Sequence, residues 1–286
     1  MHTRHSDTYQ LGDRQVKRIG YGAMQLAGPG VFGPPKNIEA AHEVLREAIA
    51  SGVNHIDTSD FYGPYVTNKI IREALAPYPD DLVIVSKIGA RRDDKANWLP
   101  AFSAPELRQA VESNLTNLGI EQIEVINLRL MFGTHAPEEG SLEAPLSVLA
   151  ELQQEGLIRH IGLSNVTMTQ IEEAKKICNI VCVQNHYNLV HRHDDAMIDA
   201  LAAEGIPYVP FFPLGGFTPI QSTRLNELAK QHQATPMQLA LAFLLQRSEN
   251  ILLIPGTGSV AHLRENLAAA ELTLSPELID ELNALA

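Results

Sequence analysis

The sequence predicts an α/β fold, a closed parallel (β/α)8 TIM barrel in one domain over residues 1–286, and three observations carry that prediction. Short apolar, β-branched runs recur eight times. Most are followed by a stretch of helical period, and no linker or break in composition interrupts the alternation. The runs lie at 18–23, 54–57, 82–87, 125–129, 160–163, 180–184, 207–211 and 251–254. None alternates strictly between polar and apolar, as expected of strands covered by helices outside and packed within. The length allows two domains, but α/β barrels of about 250 residues are single domains.

Taken in order, the segment before residue 18 reads as a hairpin closing the barrel bottom, 8–11 and then 15–18. Helices are expected at 38–50, 68–76 and 142–155. Ser103-Ala104-Pro105-Glu106 is a capping box, with Leu107, Val111, Leu115 and Leu118 along one face and Gly119 as the stop. Thr235-Pro236 opens another helix with an N-cap and a proline at the first helical position. Ser275-Pro276 opens the last, whose apolar face is Leu278, Leu282 and Leu285. An open doubly wound sheet would want a glycine fingerprint after the first strand. Gly20-Tyr21-Gly22-Ala23 has only two glycines, and the next helix begins well downstream.

Composition narrows the function. Of 286 residues, 45% are hydrophobic and 20% charged, a globular mixture. Lys and Arg number 22 against 34 Asp and Glu, a net charge of −12 with no basic run, which argues against nucleic acid and anionic membrane as partners. The first seven residues hold no apolar stretch, so no signal peptide is expected, and no apolar run nears the roughly 18 residues of a membrane span. Cys178 and Cys182 are not spaced as a redox or zinc pair and read as two buried free thiols. A cytoplasmic protein fits that pattern. His191-Arg192-His193 lacks accompanying carboxylates or cysteines and reads as a polar loop, so no metal is expected.

Barrel chemistry gathers at the carboxyl ends of the strands. Strand two ends in Asp57-Thr58, with Tyr62 five residues after Asp57; strand three ends in Lys87; strand four ends in Arg129. Asp57 and Lys87 sit on neighbouring strands at a matching level, and a buried pair of that kind compensates itself. It is equally readable as a structural ion pair. Tyr62 tilts the balance. A phenol is a poor proton donor at neutral pH until a cation stabilises its phenolate, and a Lys kept protonated by Asp57 is such a cation. Tyr62 would then protonate a carbonyl oxygen as hydride reaches its carbon.

His55-Ile56-Asp57-Thr58-Ser59-Asp60-Phe61-Tyr62-Gly63 resembles the strand-two motif of the aldo-keto reductases, and Lys87 in Val85-Ser86-Lys87-Ile88 matches their catalytic lysine. Arg159 to Asn165, Val183 to Asn188, Pro213-Leu214-Gly215 and Ile254-Pro255-Gly256-Thr257 through Asn266 resemble the later motifs in order, over about residues 15–285. Among family members the sequence is most similar to the bacterial enzymes that reduce pyridoxal.

The resemblance implies NADPH-dependent, metal-free reduction of an aldehyde or ketone, here pyridoxal to pyridoxine, by a monomer acting on a small molecule. It implies Asp57, Tyr62, Lys87 and the strand-four residue as catalytic, with Tyr62 the general acid. Ser164, Asn165 and Gln184 would hold the nicotinamide carboxamide, Phe211 would stack on its ring, and Gly22 and Met24 would lie near it. Phe212, Leu214, Gly256, Thr257, Ser259, His262, Glu265 and Asn266 would line the rest of the cofactor site, with Arg264 as a further cation near the 2′-phosphate. Trp98 lies in a long segment that builds the family's substrate pocket and is equally readable as a loop anchor. Phe61, Phe212 and Phe217 read as pocket walls or as packing.

One position departs. Most family members carry His where this chain has Arg129, which is always charged and only donates. Arg129 would polarise the carbonyl, lower the Tyr62 pKa further, or orient a ring hydroxyl or a phosphate of the substrate. It also keeps open an NADPH-binding regulatory protein with little turnover, or a reductase of general aldehydes and ketones. A Schiff-base aldolase using Lys87 would need a lowered lysine pKa, which Asp57 opposes.

Overall fold

The computed structural model describes residues 8–134, 136–216 and 220–285. Strands β1 (Thr8–Leu11) and β2 (Arg14–Lys17) form the antiparallel hairpin ahead of the barrel, its second strand one residue earlier than expected. The turn passes through Gly12 at φ +61°, where a Cβ would lie 2.4 Å from the His160 ring, so only glycine fits.

The barrel then alternates. In order come β3 (Tyr21–Gly22), α1 (Ile38–Ala50), β4 (His55–Asp57), α2 (Thr67–Leu75) and β5 (Val83–Ile88). A small antiparallel hairpin follows, β6 (Ala90–Arg92) and β7 (Trp98–Pro100), and then α3 (Ala104–Leu118), β8 (Ile123–Arg129), α4 (Glu143–Gln154), β9 (Ile158–Ser164), α5 (Met168–Lys175) and β10 (Ile180–Gln184). The chain ends with α6 (Asp195–Ala203), α7 (Thr223–Gln231), α8 (Pro236–Arg247), α9 (Val260–Ala268) and α10 (Pro276–Asn283).

Six strands form one parallel sheet in the order β10-β9-β8-β5-β4-β3. The expected seventh and eighth strands are reduced to single bridges that nevertheless close the ring. Tyr208 bridges Val183 on one side and Ile251 on the other, and Leu253 and Gly256 bridge Ile19 and Gly22. The Gly20 and Leu252 amides donate across these joints to Leu253 and Tyr208 carbonyls at 2.8 and 2.9 Å. Gly22 and Gly256 let the backbones approach closely at this joint: a Cβ on Gly22 would sit 2.4 Å from the Ile254 carbonyl oxygen.

The core has two layers. Ile56, Ile84, Ile126 and Ile161 face outward onto helical residues such as Val44, Ile71, Leu107 and Leu149, all buried. Inside the barrel, Val83, Val85, Val125, Cys182, Val209 and Leu252 pack together, and Leu11 and Val16 of the hairpin plug the bottom. Because side chains alternate along a strand, Val83 and Val85 inward place Lys87 inward, and Val125 inward places Arg129 inward. The apolar plug below thus becomes a polar layer at the carboxyl ends.

The caps hold as expected at three helices. The Glu106 carboxylate accepts from both the Ser103 amide and hydroxyl, and Thr235 and Ser275 accept from the Gln238 and Leu278 amides. Helices α5, α6, α7 and α9 belong to the alternation the barrel implies, though the sequence reading gives them no bounds, and the β6–β7 hairpin was not expected. Among the described residues no helix is long and apolar enough to cross a membrane.

Candidate active site

A cavity of about 140 Å³ opens at the carboxyl ends of the strands. Tyr62 and Lys87 meet there with Met24, Trp98, Arg129, Ser164, Gln184 and Phe211, so eight of the expected residues share one space. Phe61, Met131 and Thr134 complete the wall.

Lys87 and Asp57 are both almost wholly buried, and Lys87 Nζ donates to Asp57 Oδ1 at 2.5 Å and to the Thr58 carbonyl at 3.0 Å. Gln184 Nε2 donates to the other Asp57 oxygen at 2.8 Å. Burial pulls the Lys87 ammonium down, but Asp57 and Tyr62 outweigh it and hold the group above the ordinary lysine value. That is the wrong direction for a Schiff-base lysine and the right one for a fixed cation.

Lys87 Nζ lies 5.2 Å from the centre of the Tyr62 ring. Here one expectation is corrected. Burial raises the Tyr62 phenol above its ordinary value, and the lowering by Lys87 and Arg129 only moderates that rise. The phenol therefore keeps its proton at neutral pH, and the cations favour the phenolate only as the proton leaves.

The loop carrying Tyr62 is tied down from outside the cavity. Asp60 is buried and accepts from Asn117 Nδ2 at 2.8 Å, from Asn68 Nδ2 at 3.2 Å and from the Ser113 hydroxyl. Asn68 also accepts from the Thr58 hydroxyl at 2.8 Å and donates to Asn114 at 2.8 Å. The strand-two motif contains Asp60 but its spacing shows no role for it; three helical donors converging on the carboxylate give it one.

Arg129 ends β8. Its guanidinium donates to the Thr134 and Leu130 carbonyls at 3.0 and 3.4 Å and lies 5.4 Å from the centre of the Phe211 ring. Burial lowers its pKa to about 10, with Tyr62 opposing, so it stays cationic at neutral pH. Trp98 comes from the β6–β7 hairpin; it packs edge-on against Phe61 at 5.3 Å and carries Arg92 at 4.1 Å over its ring, so it is both anchor and pocket wall.

Three buried polar atoms at this end have no partner among the described residues: Ser164 Oγ, Asn165 Oδ1 and Gln184 Oε1. A hydroxyl that can donate and two carbonyl oxygens that accept match a primary carboxamide, which offers one acceptor and two N–H donors. Asn165 is locked in place by donating to the Leu130 and Gly133 carbonyls at 3.1 and 2.9 Å, and its backbone lies at φ +61°, a strained conformation outside glycine.

A second cavity, about 260 Å³, takes in Phe212, Leu214, Gly256, Thr257, His262, Glu265 and Asn266, with Gln25, Gly216 and Met237. Phe211 lines the first cavity and Phe212 the second, so the two adjoin. Ser259 is not in that wall. It caps α9 by accepting from the His262 amide at 3.4 Å, while its own amide donates to Thr257 Oγ1 at 3.1 Å. Arg264 donates to Glu47 at 2.7 Å and so points to a carboxylate on α1. Gly22 and Gly256 are accounted for by barrel closure.

His193 stacks on His191 with ring centres 4.4 Å apart, His191 on His186 at 3.9 Å, and His186 in turn on Phe211 at 5.7 Å. No group of residues that could hold a metal occurs among the described residues. Cys182 is buried as expected, but Cys178 is only half-buried; burial raises both thiols, to about 12 and about 11. Phe217 lies outside the described residues.

The fold is that of a (β/α)8 barrel protein, with a cavity at the carboxyl ends of its strands lined by Tyr62 and by a lysine paired to Asp57. The chain belongs to the aldo/keto reductase family, whose model matches residues 18–286. It is 67% identical over 281 residues to pyridoxine 4-dehydrogenase of Escherichia coli K12, covering 98% of each chain. It superposes on a thermostable aldo-keto reductase solved with the inhibitor epalrestat at a TM-score of 0.81 and 32% identity, over 98% of this chain and 100% of that one. A Klebsiella pneumoniae aldo-keto reductase solved with NADPH shares the fold, with a TM-score of 0.80 and 22% identity over 100% and 95% of the two chains.

Proposed function

We propose that this protein is an NADPH-dependent aldehyde reductase whose substrate is pyridoxal, converted to pyridoxine in vitamin B6 metabolism. The observation that carries the reading is a cavity lined by Tyr62 and the Asp57-paired Lys87 together with Ser164 and Gln184, two of the three residues whose unpartnered atoms match a carboxamide. The 67% identity to pyridoxine 4-dehydrogenase supports the substrate.

In this reading Ser164, Asn165 and Gln184 take the nicotinamide carboxamide, Phe211 and Met24 border the ring, and the second cavity takes the adenosine end. NADPH, when bound, supplies the hydride that reduces the carbonyl carbon. Tyr62 donates its proton to the carbonyl oxygen, and Lys87, held charged by Asp57, stabilises the phenolate that results until solvent reprotonates it. Thr257 and His262 line the end where the 2′-phosphate would lie; with Arg264 drawn toward Glu47, discrimination against NADH rests on those two side chains. Residues 1–286 act as one barrel domain, a cytoplasmic monomer, and the free cysteines fit a reducing compartment.

Loss of NADPH absorbance tests this, with pyridoxal run beside pyridoxal 5′-phosphate and 4-nitrobenzaldehyde. Preferential turnover of pyridoxal is the expected result. Tight NADPH binding with none of the three consumed would point instead to a cofactor-binding regulatory protein.

A further inference from the structure

We propose that Arg129 recognises an oxyanion ortho to the substrate's aldehyde, so that the preferred substrates are aryl aldehydes bearing an ortho hydroxyl. The inference deepens the reductase reading above and rests on it. Of the two cations that line the cavity, Lys87 is neutralised by Asp57 at 2.5 Å. Arg129 has no carboxylate within ion-pairing distance among the described residues, and no acidic side chain lines the cavity. The site therefore presents one uncompensated positive charge. A half-buried cation of that kind, without a counter-ion, favours an anionic partner.

The charge count chooses between the two anions an aldehyde substrate could bring. A phenolate contributes one negative charge and leaves the occupied cavity neutral. A phosphate dianion would leave one charge unmet in a space of about 140 Å³. Donor geometry agrees. Arg129 spends one N–H on the Thr134 carbonyl and one on the Leu130 carbonyl, and the rest of its planar fork has no hydrogen-bond partner among the described residues. In an ortho-hydroxyaryl aldehyde the ring oxygen and the carbonyl oxygen can turn side by side, the arrangement a guanidinium bridges with parallel N–H donors.

The pairing also answers a chemical difficulty. A phenolate conjugated to an aldehyde pushes electron density onto the carbonyl carbon and weakens it as a hydride acceptor. A guanidinium on the ring oxygen holds that charge in place and restores the carbon's electrophilicity, while Tyr62 serves the carbonyl oxygen. Pyridoxal, whose ring hydroxyl is ortho to its aldehyde, belongs to this class.

The test compares kcat/KM for salicylaldehyde and 2-methoxybenzaldehyde in wild type, Arg129→Met and Arg129→Lys, at pH values on both sides of the salicylaldehyde phenol ionisation. Reading a ratio within each variant cancels any common loss of activity. Wild type is expected to favour salicylaldehyde by about 10- to 100-fold, the range of a charge-assisted hydrogen bond, and the preference should grow as the phenol ionises. Arg129→Met should bring the ratio near one, and Arg129→Lys should keep part of it. Equal turnover of the two aldehydes by wild type, or a ratio that survives in Arg129→Met, overturns the proposal. So does a preference for pyridoxal 5′-phosphate over pyridoxal that Arg129→Met abolishes, since Arg129 would then be reading phosphate.

A second measurement needs no turnover. Trp98, the only tryptophan, lines the cavity, and its fluorescence reports binding of salicylamide against 2-methoxybenzamide. Selective salicylamide binding that is lost in Arg129→Met upholds the oxyanion site even if every aldehyde is left unreduced, which would sink the reductase reading alone. Indifference to the two amides rejects the site.

Discussion

Gln184 Nε2 and Lys87 Nζ hold opposite oxygens of the Asp57 carboxylate, at 2.8 and 2.5 Å. One side chain thus connects the proposed carboxamide site to the pair that tunes Tyr62. Gln184→Leu would leave Asp57 Oδ2 buried without its donor, a cost of about 1–3 kcal/mol. The expected outcome is a lower midpoint in urea unfolding together with a raised NADPH Kd by fluorescence titration. An effect on cofactor binding alone would mean the bond to Asp57 carries no stability.

The Lys87–Asp57 pair separates stability from chemistry. Removing one partner strands a buried charge, so Lys87→Met should cost about 3–5 kcal/mol. Lys87→Met combined with Asp57→Asn should recover much of that loss in urea unfolding, because no net charge is left behind. Reductase activity should stay absent in both.

Asp60 bears on the position of Tyr62 without touching the cavity's reactive end. Asp60→Ala removes the acceptor shared by Asn68, Ser113 and Asn117. The expected result is a loss of about 1–3 kcal/mol for each buried donor group left unsatisfied, softened where water enters, and a fall in kcat larger than any change in NADPH Kd. Steady-state kinetics beside cofactor titration read the two effects apart.

His55 makes stability depend on pH. Burial lowers its pKa from 6.5 to about 4, so the folded protein keeps the ring neutral where the unfolded chain takes up a proton. Stability is full above pH 6.5 and is lost as pH falls toward 4, by up to roughly 3 kcal/mol from this group. Thermal unfolding between those pH values should show the slope in wild type and a shallower one in His55→Gln.

Much of the fold was legible because barrel strands carry their signal locally. Val83 to Lys87 reads as a strand without knowledge of its neighbours, and the parity that buries Val83 and Val85 turns Lys87 inward. The capped helices were legible at Ser103, Thr235 and Ser275 for the same reason. What escaped depends on distant partners. The seventh and eighth strands are single bridges whose extent is set by Val183, Tyr208 and Leu253 meeting across the ring. The β6–β7 hairpin, with its charged Arg91 and Arg92, has no apolar run to announce it. At the site, residue types predicted the Lys87–Asp57 pair, but the rise in the Tyr62 pKa follows from burial, which no motif states.

Proton delivery by Tyr62 is tested by Tyr62→Phe. NADPH consumption with pyridoxal should fall by about 10²- to 10⁴-fold, the usual contribution of a positioned general acid, while NADPH binding by fluorescence titration stays near wild type. Full activity in Tyr62→Phe would rule out Tyr62 as the proton donor and place that role elsewhere in the cavity.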